Sequence, residues 1–94
     1  MKEQTLTTIL VKELKATVED GHHKLPEGTR ITVFLTTGAA AVRVGKITGV
    51  RLTSDFAALD SEDGRFYTDV ADISGIRVDE EAESKREIGL GFRG

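Results

Sequence analysis

The adjacent histidines His22 and His23 are the residues whose type most invites chemistry, because imidazole is a common zinc ligand. A zinc site needs further ligands at a workable spacing, and neighbouring residues point to different sides of a helix or strand. No third ligand stands near the pair at such a spacing. Lys24, Pro26 and Gly28 follow, a composition typical of a turn. The sequence therefore predicts a solvated loop here, without a metal or cofactor.

Asp69 and Asp72 could share a pocket as a general acid and a general base, which is the usual work of paired carboxylates. Acids in surface turns are far commoner. Nucleophilic catalysis lacks support, because the chain has no Cys, both histidines fall in one predicted loop and no Gly-x-Ser-x-Gly motif occurs. We expect the protein not to be an enzyme.

Residues 89–94 spell the dinucleotide-binding pattern Gly-x-Gly-x-x-Gly. That pattern binds pyrophosphate when its glycines follow a strand and open a helix, and we expect this match to be accidental because no helical stretch follows. Residues 79–87 form an acidic run typical of a solvated or weakly helical extension. The prediction for 79–94 is an acidic and then glycine-rich tail; the alternative is an added edge strand, since Ile88, Leu90 and Phe92 alternate.

Residues 29–52 predict two strands that would position the side chains of any site. In the first stretch the apolar residues Ile31, Val33 and Leu35 alternate with more polar ones, the signature of a half-buried strand. A Gly-Ala-Ala-Ala turn at 38–41 leads to a second strand, whose alternation slips at 45–46 and again at 48–49. The inward residues are Val42, Val44, Ile47, Val50 and Leu52. Each slip includes a glycine and predicts a β-bulge, so we expect a strongly bent strand.

Three further strands are predicted at residues 56–60, 65–70 and 74–78, with a turn at 61–64. The fold class is mostly β: an N-terminal α-helix followed by a strongly bent, five-stranded antiparallel small barrel at residues 29–78.

An amphipathic helix is predicted at residues 5–19 within the N-terminal segment 1–28. Leu6, Leu10, Leu14 and Val18 recur at a spacing of four, and Gly21 would cap the helix. We expect this helix to lie across an open end of the barrel; the alternative is a helix that docks a partner.

Length, composition and charge set wider bounds. The chain has 94 residues, no Cys and no Trp, which predicts one domain with a thin aliphatic core that oligomerisation would help to bury. The sequence shows neither a signal peptide nor a long apolar run, so we expect a cytoplasmic protein outside the membrane. The net charge is −3, but residues 29–78 carry equal numbers of bases and acids. Nucleic-acid binding is therefore not dictated by charge.

Residues 25–78 resemble the Sm-like (Sm/LSm) family, in which a short helix precedes a bent five-stranded barrel. The resemblance rests on residues 28–38, an alternating strand that ends in glycine, and on residues 45–50 (GKITGV), which match the family's glycine and apolar second strand. Ile73 and Ile76 fit the apolar frame of its second motif. An SH3-like barrel of another family would satisfy the same strand pattern.

The resemblance implies a non-catalytic ring of identical barrels that binds RNA or single-stranded DNA, with the fourth predicted strand of one copy paired to the fifth of the next. Ser54, Asp55 and Phe56 fall on the segment that holds a base, and Asp72 falls on an Asn position of the second motif. Arg51 replaces an Asp, and Asp69 and Val70 replace an Arg-Gly pair. The expected phosphate contacts are Arg43, Lys46, Arg51 and Arg77.

Two other functions stay open. One is a protein-interaction or regulatory SH3-like module that uses a strand edge, the helix or the tail, and the neutral barrel favours it. The other is an enzyme assembled across a symmetric pore. Salt-dependent binding of single-stranded RNA would favour the ring over both.

Overall fold

A computed structural model of the chain describes residues 1–81. A short helix, α1 (Glu3–Thr8), continues into a π-helical turn at Ile9–Glu13. Seven strands follow, and a single 3-10 turn at Val70–Asp72 precedes the last of them. The strands are β1 (Thr17–Glu19), β2 (His22–Lys24), β3 (Arg30–Thr37), β4 (Ala40–Leu52), β5 (Ala57–Ser61), β6 (Gly64–Thr68) and β7 (Ile73–Glu80).

The strands form one curled antiparallel sheet, a half-barrel with the order β1-β2-β4-β3-β7, in which β5 pairs with β4 and β6 with β5. Strand β4 is the central strand of the sheet, because its 13 residues pair with three other strands. Its first part pairs with β3, and its second part pairs with β5 on one side and β2 on the other. The predicted fold class is confirmed. All five predicted strands are present, and the short strands β1 and β2 precede them.

Both predicted slips in β4 are present as breaks in register. Val33 and Ile31 pair with Val44 and Ile47, so β4 carries one extra residue between these pairs. Lys46 takes up the strain there with a φ of 55°. The second break lies between Ile47 and Gly49 in the pairing with β5. Bulges raise the local twist of a strand. The added twist lets β4 bend enough to pair with different strands along its length.

The core lies inside the curl and is closed by the N-terminal helix. Leu6, Leu10 and Leu14 are buried against strand residues such as Ile31 and Leu59. The terminal amine of the chain donates a hydrogen bond to the carbonyl oxygen of Ile73 at 2.6 Å, which ties the start of the chain to β7. The apolar face of the helix is therefore part of the core, as expected, and is not free to dock a partner.

The predicted helix at 5–19 is wrong in its second half. Helical structure ends at Glu13, where the amide of Leu14 donates to the carbonyl oxygen of Ile9 in a π-type bond, and Lys15 then turns to a φ of 60°. Val18 lies in β1 and is 50% exposed. The β-branched residues Thr7, Thr8, Ile9 and Val11 lower the helical preference of this stretch.

Residues 17–24 form a β-hairpin in place of the predicted helix end and loop. Glu19 pairs with His22 across Asp20 and Gly21, whose φ values of 50° and 81° are those of a tight hairpin turn. Gly21 therefore does not cap the helix. A Cβ at residue 21 would lie 2.8 Å from the carbonyl oxygen of Leu52, so the turn packs closely against the end of β4.

Smaller differences concern strand limits and one side chain. The sequence predicts Val42 inward, but it is 50% exposed, because it lies near the turn that closes the β3–β4 hairpin and outside the core. The strand predicted at 65–70 ends at Thr68, and Asp69 instead caps the 3-10 turn by accepting a hydrogen bond from the amide of Ala71. Strand β7 includes Asp79 and Glu80, at the start of the acidic run. The expectations for residues 82–94, including the glycine pattern and the alternating apolar residues, lie outside the described residues.

Candidate functional site

The predicted nucleic-acid contacts separate into three places on the sheet. The first is the end where β4 passes into β5. Leu52 and Ala57 are paired, and Ala57 also pairs with Thr68, so the turn at 53–56 and the segment at 69–72 lie at the same end. This end holds Arg51, Ser54, Asp55, Phe56 and Asp72. Its two segments lie side by side, and its turns expose carboxylates, which repel phosphate.

The turn at 53–56 is fixed by Thr53. Its hydroxyl accepts hydrogen bonds from the amides of Asp55 and Phe56, each at 3.1 Å. This local bonding leaves Ser54 and Asp55 exposed and holds Phe56 half-buried against the sheet. Asp69 caps the 3-10 turn, and its carboxylate accepts a hydrogen bond from the amide of Ala71 at 3.1 Å.

Lys46 lies at the opposite end of β5. Ile47 pairs with Ser61 there, beside the β5–β6 turn, and Lys46 Nζ is 3.9 Å from Asp63 Oδ1. Lys46 also borders an open cavity of about 480 Å³ whose other lining residues are Arg30, Glu62, Asp79 and Glu80. The acids outnumber the bases, so this cavity does not favour phosphate.

Arg43 on β4 and Arg77 on β7 lie on the two strands that flank Phe34 of β3 on the outer face of the sheet. Arg43 pairs in register with Phe34, and the Cζ atom of Arg77 lies 5.7 Å from the centre of the Phe34 ring. Arg77 Nε also donates to Asp79 Oδ1 at 2.6 Å. A hydrogen bond from Thr32 and then the Arg77 charge hold the pKa of Asp79 below its usual value.

A pair of aromatic rings marks the other side of the same face. Phe56 and Tyr67 pack edge to face with their ring centres 5.3 Å apart, and Tyr67 is 61% exposed. Arg65 donates to Asp60 Oδ1 at 2.9 Å, and its hydrogen bonds to Tyr67 and Asp60 raise the pKa of its guanidinium group. Sequence reasoning missed Tyr67 and Arg65. Their alternation in β6 put them on one face, but only the register across β5 places Tyr67 near Phe56.

The two histidines do not form a solvated loop, and that prediction is wrong. His23 is buried opposite Val50, and its Nδ1 donates to the carbonyl oxygen of Gly21 at 3.1 Å. His22 faces outward, with Nε2 at 3.1 Å from Asp60 Oδ2. Pairing of β2 with β4 causes this arrangement, because it turns alternate residues of the short strand inward and outward.

His22 and Asp60 border an open cleft of about 590 Å³ that also includes Lys24 and Gly49. Gly49 makes the contact between them feasible, because a Cβ there would lie 3.0 Å from His22 Nε2. Among residues 1–81 no cluster of three or more His, Cys, Asp or Glu side chains could hold a metal ion. No helix in that range is long and apolar enough to cross a membrane.

Three strands have one unpaired edge within the described residues. The hairpin strand β1 pairs only with β2. Strand β6 pairs only with β5, and β7 pairs only with β3. Phe66 on β6 and Val78 on β7 share the inward face with their neighbours Leu59 and Ile31. Phe66 and Val78 nevertheless stay 44% and 41% exposed, because no strand follows them. Bare edges of this kind readily pair with another strand.

Comparison of the chain with protein-family models, with curated proteins and with solved structures finds no match.

Proposed function

We propose that this protein is a non-catalytic homo-oligomer, in which β6 of one copy pairs with β7 of the next, and that the assembly binds RNA or single-stranded DNA. The observation that carries the proposal is that the bare edges of β6 and β7 each hold an inward-facing apolar residue, Phe66 and Val78, that stays exposed. The absence of Cys suits a reducing compartment such as the cytoplasm. The resemblance of residues 25–78 to the Sm-like family supports the same assembly.

The apolar residues of the two edges define one register. Phe66 and Val78 both face the inside of the curl. If β6 pairs antiparallel with β7 of the next copy so that Phe66 lies opposite the partner's Val78, the two side chains cover each other and extend the core across the boundary. Burial of such apolar area stabilises association by roughly 25 cal/mol per Å² before the costs of association.

The same register joins complementary groups on the outer face. It sets Arg65 opposite the partner's Asp79 and Tyr67 opposite the partner's Arg77, because each lies one residue from the apolar pair. The first is an opposite-charge pair and the second brings a cation to an aromatic ring. The interface is head to tail, so repetition leads to a closed ring when the rotation between copies permits it.

Nucleic-acid binding is supported by the chemistry of the outer face. Single strands are bound where aromatic rings stack with bases and cations contact phosphates. Phe56 and Tyr67 provide rings, and Arg43, Arg51 and Arg77 provide cations. Because Arg77 is paired with Asp79, each copy offers a weak site, and repetition around an oligomer multiplies it.

The test of assembly is the solution mass of matched variants, measured by light scattering behind size exclusion. Phe66→Asn removes the apolar contact proposed between β6 and β7, and Val18→Asn changes a similarly exposed apolar residue on β1, away from β6 and β7. We expect Phe66→Asn to lower the mass toward the 10.2 kDa of one copy with unchanged circular dichroism, and Val18→Asn to keep the multimer. A wild-type monomer, or a multimer untouched by Phe66→Asn, would overturn the assembly.

The test of ligand is titration of a fluorescent RNA and a DNA of equal sequence, each about 20 nucleotides long, so that several copies can be engaged. We expect binding at about 50 mM salt that weakens as salt rises to about 200 mM. Absence of binding by both strands at the lower salt would contradict the nucleic-acid part while leaving the assembly intact.

A second candidate is a protein-interaction module whose bare edge takes a strand from another protein. The acids at the predicted base-binding end, Asp55 and Asp72, and the balanced charge of residues 29–78 favour it. A monomer that binds neither RNA nor DNA would support this candidate over the first.

A further inference from the structure

We infer that the binding surface for single-stranded nucleic acid is a strip of rings and arginines that crosses the boundary between two copies, so that neither copy alone contains it. This inference rests on the proposed pairing of β6 with β7. The ligand class is a strand with unpaired bases, which stack on the rings while its phosphates meet the arginines.

One copy supplies the first half of the strip. Phe56 and Tyr67 are in edge-to-face contact at 5.3 Å, and Tyr67 extends to the bare side of β6 with most of its surface exposed. Arg65 lies beside Tyr67 on the same face, next to Asp60. This half ends at the strand edge, because no side chain of residues 1–81 continues it beyond β6.

The partner supplies the second half of the strip. Because the copies are identical, the contacts of that half are those found in one copy. Arg77 on the bare strand β7 lies over the Phe34 ring of β3 at 5.7 Å, and Arg43 of β4 is in register with Phe34. Gly75 is opposite Phe34 on β7, and a Cβ added there would meet nothing within 4 Å. The surface beside the Phe34 ring is therefore open toward the edge of the sheet.

The proposed register aligns these halves in two rows. Tyr67 lies opposite the partner's Arg77. One step beyond the last β5–β6 pair, Ala57 with Thr68, Phe56 falls in the row of Asp69 and then of the partner's Gly75. That row continues to the partner's Phe34 and then to the partner's Arg43. Neighbouring strands are about 4.8 Å apart, so the distance from β6 to the partner's β4 is about 14 Å. The glycine leaves room for a base between the two groups of rings.

Charge in the strip is modest. Arg43, Arg65 and Arg77 are offset by Asp60, Asp79 and the exposed Asp69 in the row of Phe56. Stacking should therefore contribute more to affinity than phosphate contacts, and the salt dependence should be shallower than for a strongly basic surface. Loss of the stacking between one base and an aromatic ring weakens binding at least about fivefold.

The experiment measures fluorescence anisotropy with a labelled oligouridine RNA of about 20 nucleotides, and solution mass for every variant. Arg43→Gln and Phe34→Leu change the second half of the strip two or more strands from β6. Gly75→Thr keeps a residue suited to a strand but covers the open surface beside Phe34. Lys12→Gln removes an exposed cation on the N-terminal segment and is the matched control.

We expect Phe34→Leu and Gly75→Thr to weaken binding at least about fivefold, Arg43→Gln to weaken it less, and Lys12→Gln to leave it unchanged, all at wild-type mass. Phe66→Asn should lose mass and RNA binding together. If the strip variants keep both mass and affinity, or if monomeric Phe66→Asn binds as tightly as the wild type, the strip is overturned. A wild-type monomer would overturn the proposed assembly itself. The two failures are distinguishable, because the solution mass reports on assembly and the anisotropy reports on affinity.

Discussion

The centre of the sheet and the edge strands β6 and β7 differ in how deeply their inward-facing side chains are buried. At the centre, Ile31 and Val33 on β3 and Ile47 on β4 are completely buried beneath the N-terminal helix. At the edges, Phe66 and Val78 face the same way but stay more than two-fifths exposed. The direction of the side chains is the same in both regions, so the difference lies in what covers them.

Residues 1–81 complete their own core but not their own sheet. The helix covers the inside of the curl, whereas nothing in residues 1–81 pairs with the outer sides of β6 and β7. An apolar residue that is inward but uncovered stabilises little until another strand arrives. Changes at the centre should therefore alter folding, and changes at the edges should alter association.

The largest effect is expected at the centre. Leu10→Ala removes a fully buried side chain of the helix, and we expect the free energy of unfolding to fall by about 2–5 kcal/mol in urea titration. Val18→Ala, on the exposed hairpin strand β1, should change it by less than about 0.5 kcal/mol. Similar losses for both variants would mean that the helix does not close the core.

A smaller effect is expected where the hairpin meets the centre. Gly49→Ala brings a Cβ within 3.0 Å of His22 Nε2 and 3.4 Å of the His23 carbonyl oxygen, and should destabilise the fold by roughly 1–3 kcal/mol. In a His22→Ala background the nearer contact is gone, so the same change should cost less. An equal cost in both backgrounds would place the strain elsewhere.

At the edges the expected effect is on association. Val78→Asn should lower the assembly mass as Phe66→Asn does, because both remove one side of the same apolar contact. Its effect on the folding of one copy should be below about 1 kcal/mol, since the side chain is largely exposed. Loss of circular dichroism with either variant would show that the edges support the fold itself.

The smallest effect is on acid stability. Hydrogen bonding from Thr32 and the charge of Arg77 lower the pKa of Asp79 relative to an ordinary 3.8. Ionised Asp79 therefore stabilises the fold above that value, and the contribution disappears as pH falls through the lowered pKa. Thr32→Val should flatten the pH dependence of thermal unfolding below about pH 4. An unchanged acid limb would contradict this assignment.

Several parts of the fold could be predicted because their signals are local. The alternation of Ile31, Val33 and Leu35 indicates a half-buried strand, and a glycine at each slip of β4 indicates a bulge. The hairpin at 17–24 carries two competing signals: Asp20-Gly21 is a strong turn signal, but the apolar spacing of four continues through Val18 and favours a helix.

The candidate site was less predictable because it depends on register between distant strands. Burial of His23 requires its pairing with Val50, and the contact of Phe56 with Tyr67 requires the alignment of β5 with β6. Neither alignment can be read from residue types alone. The cations that the resemblance predicts as phosphate contacts lie apart in the structure. Lys46 lies among acids, while Arg43 and Arg77 lie on the two strands that flank Phe34.

The most direct test of the central claim is the solution mass of the wild-type protein, measured by light scattering behind size exclusion. Edge pairing of β6 with β7 predicts a multimer, closed into a ring where the rotation between copies permits it, with no species of one copy at working concentration. A mass of 10.2 kDa, the value for a single chain, would contradict the account.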